Sequence, residues 1–386
     1  MAGIHEYKCP SCGGVLVFDS GLQKMKCPYC DTVIDVADLK DVDKELGRKK
    51  QEASGGAGQG ASAENSESDS KTGGTGQKTA GSKWSASGRE WQEDETTGMR
   101  VYVCKSCGGE IIGDENMAAT SCPYCGNPVV MMGQFTGDLK PDLVIPFKLD
   151  KEAAKAAYLS HIKGKVLLPK LFRIKNHIDE IKGVYVPFWI YDAQAEGQAS
   201  FEATNIRSWQ DSKNRYTETR YYSVEREGRL SFEGVPADGS SKMPDDLMES
   251  IEPFDLSQAV DFQTAYLSGY LADRYDVTAE ENSDRVTERM KRSMVDQLQS
   301  TVTGYNSVQY KQGSVRLKNA TYKYALYPVW ILNTTYLGGK YLFAMNAQTG
   351  KMVGNLPIDK KKLWLFRAII FVVLGLIGFF VSKYFV

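Results

Sequence analysis

The chain has 386 residues, and its 47 Lys and Arg against 48 Asp and Glu leave a net charge of −1. This balance excludes a strongly basic nucleic-acid-binding chain and a strongly acidic disordered chain. The length allows one domain of ordinary size together with smaller modules.

The first predicted module, residues 1–40, contains two Cys-x-x-Cys knuckles. Cys9 and Cys12 form the first knuckle and Cys27 and Cys30 form the second, with fourteen residues between them. Such a pair of knuckles is typical of a tetrahedral zinc site with four thiolate ligands. The sequence therefore predicts zinc ribbon 1 over residues 1–40.

A ribbon of this size buries too little surface to fold alone, so the metal has to supply its folding free energy, on the order of 10–16 kcal/mol. Structural zinc sites are closed by four ligands and leave no open position for catalysis. Disulfides, a redox-active Cys-x-x-Cys pair and iron in a rubredoxin-like site are the alternatives, and the sequence alone does not separate zinc from iron.

Residues 41–98 are predicted to form a flexible low-complexity linker. Its central part, residues 51–83, contains no Val, Ile, Leu, Met or aromatic residue. Such a segment cannot offset its ordering entropy by burial, and it spans roughly 30 Å on average. We therefore expect ribbon 1 to be held away from the rest of the chain and to move independently of it.

Zinc ribbon 2 is predicted over residues 99–133, where the first cysteine pattern recurs with the same spacing. Its ligands are Cys104, Cys107, Cys122 and Cys125, and these two clusters use all eight cysteines. Because only a short gap separates it from the following domain, we expect ribbon 2 to pack against that domain.

The main body is predicted over residues 140–357 as an α+β domain with mostly antiparallel sheet. Lys151–Ile162 has helical composition with Asp150 as N-cap, and a second short helix ends over 179–183. Further helices are expected over 255–275 and 278–301. Alternating apolar residues predict strands over 141–149, 184–191, 200–204, 215–224, 230–232, 307–318, 322–332, 338–345 and 352–356.

Two segments of the body share the pattern Pro-x-Trp-Ile. They are Pro187–Ile190 and Pro328–Ile331, and each lies in a Tyr-rich strand that follows a helical stretch. An internal repeat of two helix-then-sheet halves explains the pattern, and so does coincidence. In either case, sheet packing accounts for these aromatic residues better than a ligand pocket does.

The C-terminal region is predicted to be a transmembrane helix over residues 363–383. From Leu363 to Val381 the chain is apolar except for Arg367, and nineteen helical residues reach about 28 Å, the thickness of the hydrocarbon core. More Lys and Arg precede the span than follow it, so the positive-inside rule places the N-terminal bulk in the cytoplasm. This pattern predicts a single-pass, tail-anchored protein of the cell membrane.

No catalytic constellation is evident, so we expect the chain not to be an enzyme. The histidines are His5, His161 and His177, and the last two are expected at the surface. Gln348–Lys351 resembles part of a phosphate loop, but a hairpin turn with Gly350 at positive φ explains it better.

Residues 161–178 carry five Lys and Arg and no acidic residue. They form either a solvated basic face or a surface for an anionic leaflet.

Several motifs outside the linker resemble those of bacterial membrane-anchored zinc-ribbon proteins, often labelled TFIIB-type. These motifs are Gly183–Trp189, Pro253–Asp255, Gly269–Ala272, Arg274–Asp276, Tyr327–Trp330, Phe343–Asn346 and Gln348–Lys351. The resemblance implies the eight cysteines as metal ligands and no catalytic residue. It also implies an association with an SPFH (flotillin-like) protein and a phage-shock-protein-A-like membrane-stress protein.

The function predicted from these observations is a non-enzymatic adaptor or scaffold that recruits protein partners to the membrane. The alternative is a zinc-ribbon regulator that binds nucleic acid while tethered to the membrane. Against this alternative, neither ribbon carries dense Lys and Arg interleaved with stacking aromatic residues. No small-molecule substrate is indicated.

Overall fold

The computed structural model describes residues 7–39, 84–86, 89–91, 99–104, 106–114, 122–124, 130–134 and 139–385. The central part of the predicted linker, His5 and Cys125 lie outside these residues. The α+β class with mostly antiparallel sheet, N-terminal cysteine clusters and one apolar C-terminal helix is confirmed.

The elements are numbered in chain order. The strands are β1 Val17–Asp19, β2 Lys24–Lys26, β3 Val33–Ile34, β4 Ser85–Ala86, β5 Arg89–Glu90, β6 Met99–Val103, β7 Glu110–Asp114, β8 Val130–Gln134, β9 Leu139–Lys140, β10 Leu143–Val144, β11 Lys182–Gln210, β12 Arg215–Asp238, β13 Val260–Asp261, β14 Leu271–Asp273, β15 Ser307–Tyr336, β16 Gly339–Asn346 and β17 Met352–Gly354. The helices with both ends described are α1 Lys151–Ile162, α2 Lys175–Ile178, α3 Asp245–Ile251, α4 Ala279–Ser300 and α5 Lys360–Phe385, with 3₁₀ turns at Lys170–Arg173, Leu256–Gln258 and Thr264–Leu267. Residues 36–39 are also helical.

Two long strands form the centre of the body. β11 and β15 pair in antiparallel orientation from Lys182–Ile331 to Thr204–Ser307. Beyond that point β11 and β12 continue as a two-stranded hairpin. This two-stranded part, residues 204–221, is about 20 Å long at about 3.3 Å per residue, and we call it the β11–β12 arm.

The body is built from two equivalent halves, β10-α1-β11-β12 and β14-α4-β15-β16, which exchange their short first strands. β10 of the first half pairs in parallel with β15 of the second, and β14 of the second pairs in parallel with β11 of the first. The two Pro-x-Trp-Ile segments lie on either side of the Val186–Tyr327 pair, with 187–190 opposite 323–326 and 328–331 opposite 182–185.

Equivalent hydrogen bonds support this repeat. In one set, Gly239 N donates to Pro187 O at 2.8 Å, Val277 N donates to Gly239 O at 3.1 Å, and Trp189 Nε1 donates to Val277 O at 2.9 Å. Each chain position in this set has a counterpart in the other half.

In the second set, Ala347 N donates to Pro328 O at 3.1 Å, Leu149 N donates to Ala347 O at 2.8 Å, and Trp330 Nε1 donates to Leu149 O at 2.8 Å. A helix begins directly after each tryptophan-bound carbonyl. The shared sequence pattern therefore marks a structural repeat rather than a coincidence.

The predicted N-cap Asp150 is confirmed, and the structure adds a second cap at Thr278. Asp150 accepts a hydrogen bond from Ala153 N at the start of α1, and Thr278 forms a capping box with Glu281 at the start of α4. The predicted helix over 255–275 is wrong: this segment contains two 3₁₀ turns and the short strands β13 and β14. Gly269, at φ 89°, interrupts any regular helix there.

Other differences concern strand continuity. The predicted strands 307–318 and 322–332 are one strand, β15, and within 141–149 only Leu143–Val144 is paired as strand. At the end of the predicted linker, Trp84 is buried and β4 pairs with β15. The predicted linker therefore gives way to ordered structure before residue 98.

α5 is 26 residues long, and its segment Lys360–Val381 is long and apolar enough to cross a membrane. No part of this segment is buried against the rest of the described structure. Its start is held by the body, because Asp359 N donates to Leu167 O at 2.8 Å and Lys362 Nζ donates to Leu168 O at 2.6 Å.

Because the two halves exchange strands, each tryptophan is predicted to stabilise the helix of the opposite half. Trp330→Phe removes the donor to Leu149 O and should loosen the first turn of α1, whereas Trp189→Phe should loosen the first turn of α4. An unpaired buried carbonyl costs about 1–3 kcal/mol, which corresponds to roughly tenfold faster local amide exchange. Hydrogen-exchange mass spectrometry of the full chain measures this, and equal effects of both variants on both helices would contradict the repeat.

Candidate metal centres

The four cysteines of ribbon 1 come together as predicted. The sulfurs of Cys9, Cys12, Cys27 and Cys30 all lie within 4.8 Å of one another. Cys9 Sγ is 3.4 Å from Cys30 Sγ, and Cys12 Sγ is 3.5 Å from Cys27 Sγ. Metal–sulfur bonds of about 2.3 Å in a tetrahedron require sulfur separations of about 3.8 Å. The four sulfurs therefore fit one tetrahedral metal ion.

Backbone turns place these sulfurs. Cys9 N donates to Gly14 O at 2.7 Å, and Gly13 N donates to Cys9 O at 2.8 Å. In the second knuckle, Asp31 N donates to Cys27 O at 3.0 Å. The residue after each knuckle has positive φ, 75° at Gly13 and 59° at Asp31. The glycine after the first knuckle is thus explained by its backbone conformation.

Ribbon 2 repeats this geometry in its described part. The sulfurs of Cys104, Cys107 and Cys122 lie within 4.8 Å of one another, with 3.7 Å between the last two. Gly108 N donates to Cys104 O at 2.7 Å, and Gly108 has φ 71°. Three thiols in this arrangement can hold a metal ion, and the predicted fourth ligand, Cys125, lies outside the described residues.

The electrostatics of ribbon 1 favour a bound cation. Burial raises the pKa of Cys9, but hydrogen bonds to the backbone of Cys12 and Ser11 outweigh it and lower the pKa to about 6. The Gly14 N–H lowers the pKa of Cys12, but the sulfurs of Cys30 and Cys27 raise it more, to about 12. Without a cation, the cluster therefore retains protons, and a metal ion would displace them.

Ribbon 1 packs against the body, so the prediction that it is held away and moves independently is wrong. Ser268 Oγ donates to Leu16 O at 2.7 Å, and Phe18 N donates to Ser268 O at 3.2 Å. The Phe18 ring meets Tyr266 edge-on at 5.2 Å. Leu16 and Phe18 are buried in this contact, so the ribbon completes its small core with residues of the body.

Two further contacts secure ribbon 1. The hydroxyls of Tyr7 and Thr264 are 2.6 Å apart, and Gln23 Nε2 donates to Phe147 O at 2.7 Å. A Cβ at Gly269 would lie 2.8 Å from Val17 Cγ1. The body therefore requires glycine there, both for the backbone conformation and for the approach of the ribbon.

Ribbon 2 packs against the body as predicted. β7 extends the sheet by pairing with β14, and Arg274 Nη1 lies 2.5 Å from Glu110 Oε2. Asn333 Nδ2 donates to the Tyr124 carbonyl, and the Tyr124 side chain is buried against the body. In ribbon 1 the equivalent Tyr29 is 77% exposed.

Both ribbons thus contact one stretch of the body, Thr264–Arg274, which we call the shared segment. Ribbon 1 binds its first half through Thr264, Tyr266 and Ser268, and ribbon 2 binds its second half through β14 and Arg274. Sequence reasoning missed this role because the segment was assigned to a helix. The sequence feature that could have indicated this role was the Gly269–Ala272 motif.

A buried carboxyl lies where ribbon 2 meets this segment. Asp273 is 1% exposed, and one of its carboxyl oxygens has no hydrogen-bond partner among the described residues. Burial raises the pKa of Asp273 to about 7, against the opposing effect of hydrogen bonding to Ser240 and Tyr124.

The histidines contribute no ligand in the described structure, where only cysteines form metal-sized clusters. His161 and His177, expected to be surface residues rather than ligands, are each partly exposed and partly buried. His177 Nδ1 lies 3.1 Å from Glu180 Oε2, and its Nε2 lies 2.6 Å from Thr334 Oγ1. Gly350 has φ 77° in the turn between β16 and β17, which confirms the hairpin interpretation.

Comparison with known proteins identifies a relative, the uncharacterized protein YdjG of Bacillus subtilis (strain 168). The two chains are 36% identical over 234 residues, which cover 61% of this chain and 69% of YdjG. The chain belongs to the YdjG family. No family model and no solved structure matches this chain.

The docked ribbon predicts that Cys27→Ser affects more than ribbon 1 in this YdjG-family protein. Loss of one ligand should release Leu16 and Phe18 from the body and lower its Tm by roughly 5–10 °C. Thermal unfolding of the full chain in detergent measures the shift in Tm. Hydrogen exchange in the shared segment reports whether ribbon 1 is released from it. An unchanged Tm would mean that ribbon 1 unfolds independently.

Gly269→Ala is the matched variant on the body side, because it should displace ribbon 1 while leaving all four sulfurs in place. It should raise exchange in the shared segment without reducing the metal content. Ser11→Ala, within the first knuckle but not a ligand, is the control expected to change neither quantity.

The raised pKa of Asp273 predicts a pH dependence. The folded state holds the proton up to about pH 7 and the unfolded state only to about pH 4, so stability falls as the pH rises between these values. From pH 5 to pH 8 the free energy of unfolding decreases by an amount on the order of 3 kcal/mol. Asp273→Asn should abolish this decrease.

Chemical denaturation of the full chain at pH 5 and pH 8 measures this difference, and an identical pH dependence in both proteins would contradict it. Asp276→Asn is the control variant, because the pKa of this carboxyl is shifted in the opposite direction. Burial raises the pKa of Asp276, but hydrogen bonds from Ser241 outweigh it and lower the pKa, so this variant should lose stability at pH 8.

Proposed function

We propose that this protein is a non-enzymatic membrane adaptor, anchored by α5 in the cell membrane, with its body and both ribbons in the cytoplasm. Zinc in both cysteine clusters stabilises the ribbons. The resemblance to membrane-anchored zinc-ribbon proteins makes an SPFH-type protein the expected partner.

The observation that carries this proposal is the attachment of three modules to one body. Both ribbons contact the shared segment, and hydrogen bonds from Asp359 and Lys362 join the body to the start of α5. A protein that connects partners to a membrane needs such a defined link between its binding surfaces and its anchor.

The donor set supports structural zinc. Four thiolates around a tetrahedral site satisfy the metal and leave no open coordination position. Zinc bound there supplies folding free energy. The protein's own residues do the rest: they orient the sulfurs through the knuckle turns and bury the inner face of ribbon 1 on the body.

The charge distribution around α5 supports the cytoplasmic orientation. Lys360, Lys361, Lys362 and Arg367 lie at the start of the helix, and Lys383 lies near its end. The side with the larger number of Lys and Arg faces the cytoplasm.

The β11–β12 arm offers a surface for a protein partner. Near its end, Trp209 stacks on Tyr216 with ring centroids 5.6 Å apart and an interplanar angle of 14°. Ile206 and Tyr221 are 52% and 69% exposed. Exposed aromatic residues on a rigid strand pair lose little entropy on binding, and such residues dominate protein interfaces.

Affinity capture of the full chain from membranes, followed by mass spectrometry, tests the proposal. We expect an SPFH-type protein to be enriched, and Trp209→Ala with Tyr216→Ala to reduce its enrichment by about tenfold or more. Lys213→Ala, in the turn of the same arm, is the matched control.

Absence of any SPFH-type protein would contradict the partner class, and unchanged enrichment with the double variant would exclude the arm as its site. Binding of the full chain to DNA with a steep salt dependence would instead favour the nucleic-acid-binding alternative.

A further inference from the structure

A basic loop lies between α1 and α2, and we define it as residues 163–175. Its five cations, Lys163, Lys165, Lys170, Arg173 and Lys175, are all exposed. The loop contains no acidic residue.

These cations are not neutralised by the surrounding structure. Within the described part of the chain, none of the five has a carboxylate within 4 Å. Of the carboxylates that follow the loop, Asp179 pairs with Lys155 at 2.8 Å and also attracts Lys175, and Glu180 lies 3.1 Å from His177. The loop therefore presents a surface with a net positive charge.

The loop has a defined conformation. Leu168 and Phe172 are buried in the core, and Arg173 Nη2 donates to Lys165 O at 2.9 Å. Its buried apolar residues thus anchor the loop in the core while its five cations remain at the surface.

The position of the loop is set by the membrane helix. The carbonyls of Leu167 and Leu168 accept the hydrogen bonds from Asp359 and Lys362 that hold the start of α5. Direct hydrogen bonds hold the loop backbone at Leu167 and Leu168 well within one Debye length, about 8 Å, of the start of the span. Exposed Lys360 and Lys361 add two cations at the same place.

Exposed apolar side chains lie among the charges. Val166 is 70% exposed and Ile174 is 48% exposed. Trp364, at the start of the span, is 74% exposed. Cations interleaved with apolar and aromatic side chains match the headgroup region of a bilayer, where the charges meet phosphates and the apolar groups enter the acyl boundary.

We propose that the basic loop and the start of α5 form a binding surface for the anionic lipid headgroups of the leaflet that α5 enters. The proposal rests on the membrane anchoring proposed above and adds a lipid specificity to it. Binding on this face fixes the rotation of the body about α5 and holds the body against the membrane. Attraction of this kind requires anionic lipid and decreases with salt.

The test uses the full chain in nanodiscs of phosphatidylcholine, with and without phosphatidylglycerol. Hydrogen exchange is measured across residues 163–175, with the turn at 211–214 as internal reference. We expect exchange in the loop to slow by at least about fivefold in the anionic discs, and the slowing to disappear at high salt.

Two matched variants separate charge from fold. The variant with Lys163, Lys165, Lys170 and Lys175 all changed to Gln should show no lipid dependence. The corresponding variant with Arg at the same four positions should retain it. Loss of the lipid dependence in both variants alike would overturn the electrostatic basis of the proposal.

The remaining outcomes are also decisive. A chain that fails to co-elute with either type of disc refutes the membrane anchor, and with it this proposal. A chain that co-elutes but shows equal exchange in both lipids refutes only the lipid surface. Slowing by inorganic phosphate in phosphatidylcholine discs would identify a free-anion site and overturn the assignment to the leaflet.

Discussion

The close approach of the cysteine sulfurs is the interaction on which the remaining architecture depends. Ribbon 1 has short strands, and its buried Leu16, Phe18 and Met25 belong to the same core cluster as residues of the body. Thiolates at 3.4–3.5 Å repel one another unless a cation lies between them. A metal ion bound between them would therefore close the knuckles and stabilise the docking face of ribbon 1.

The exchanged halves of the body explain why both ribbons reach the same segment. β14 belongs to the second half but pairs with β11 of the first, so the residues before it cross the junction between the halves. Ribbon 2 extends the sheet from β14, and ribbon 1 covers the turn that precedes it. The shared segment therefore links the repeat and the two cysteine clusters in one region of the fold.

Local signals allowed much of this fold to be predicted from the sequence. Asp150 marked the start of a helix because its side chain caps a backbone N–H group, and the Cys-x-x-Cys spacing predicted which cysteines come together because four sulfurs would surround one ion. Long-range contacts were not predictable in this way. Phe18 has the pattern of an ordinary ribbon core residue, and its partner Tyr266 lies in a segment whose composition favoured a helix. The role of Asp273 depends on its burial by ribbon 2, which no local pattern encodes.

The central claim is that metal binding at both cysteine clusters holds the shared segment of the body in place. Native mass spectrometry combined with hydrogen exchange, on the full chain before and after removal of metal by a chelator, tests it most directly. The account predicts two metal ions per folded chain and a marked increase of exchange across Thr264–Arg274 when they are removed. Fewer than two ions in the folded protein, or unchanged exchange in this segment after their removal, would contradict it.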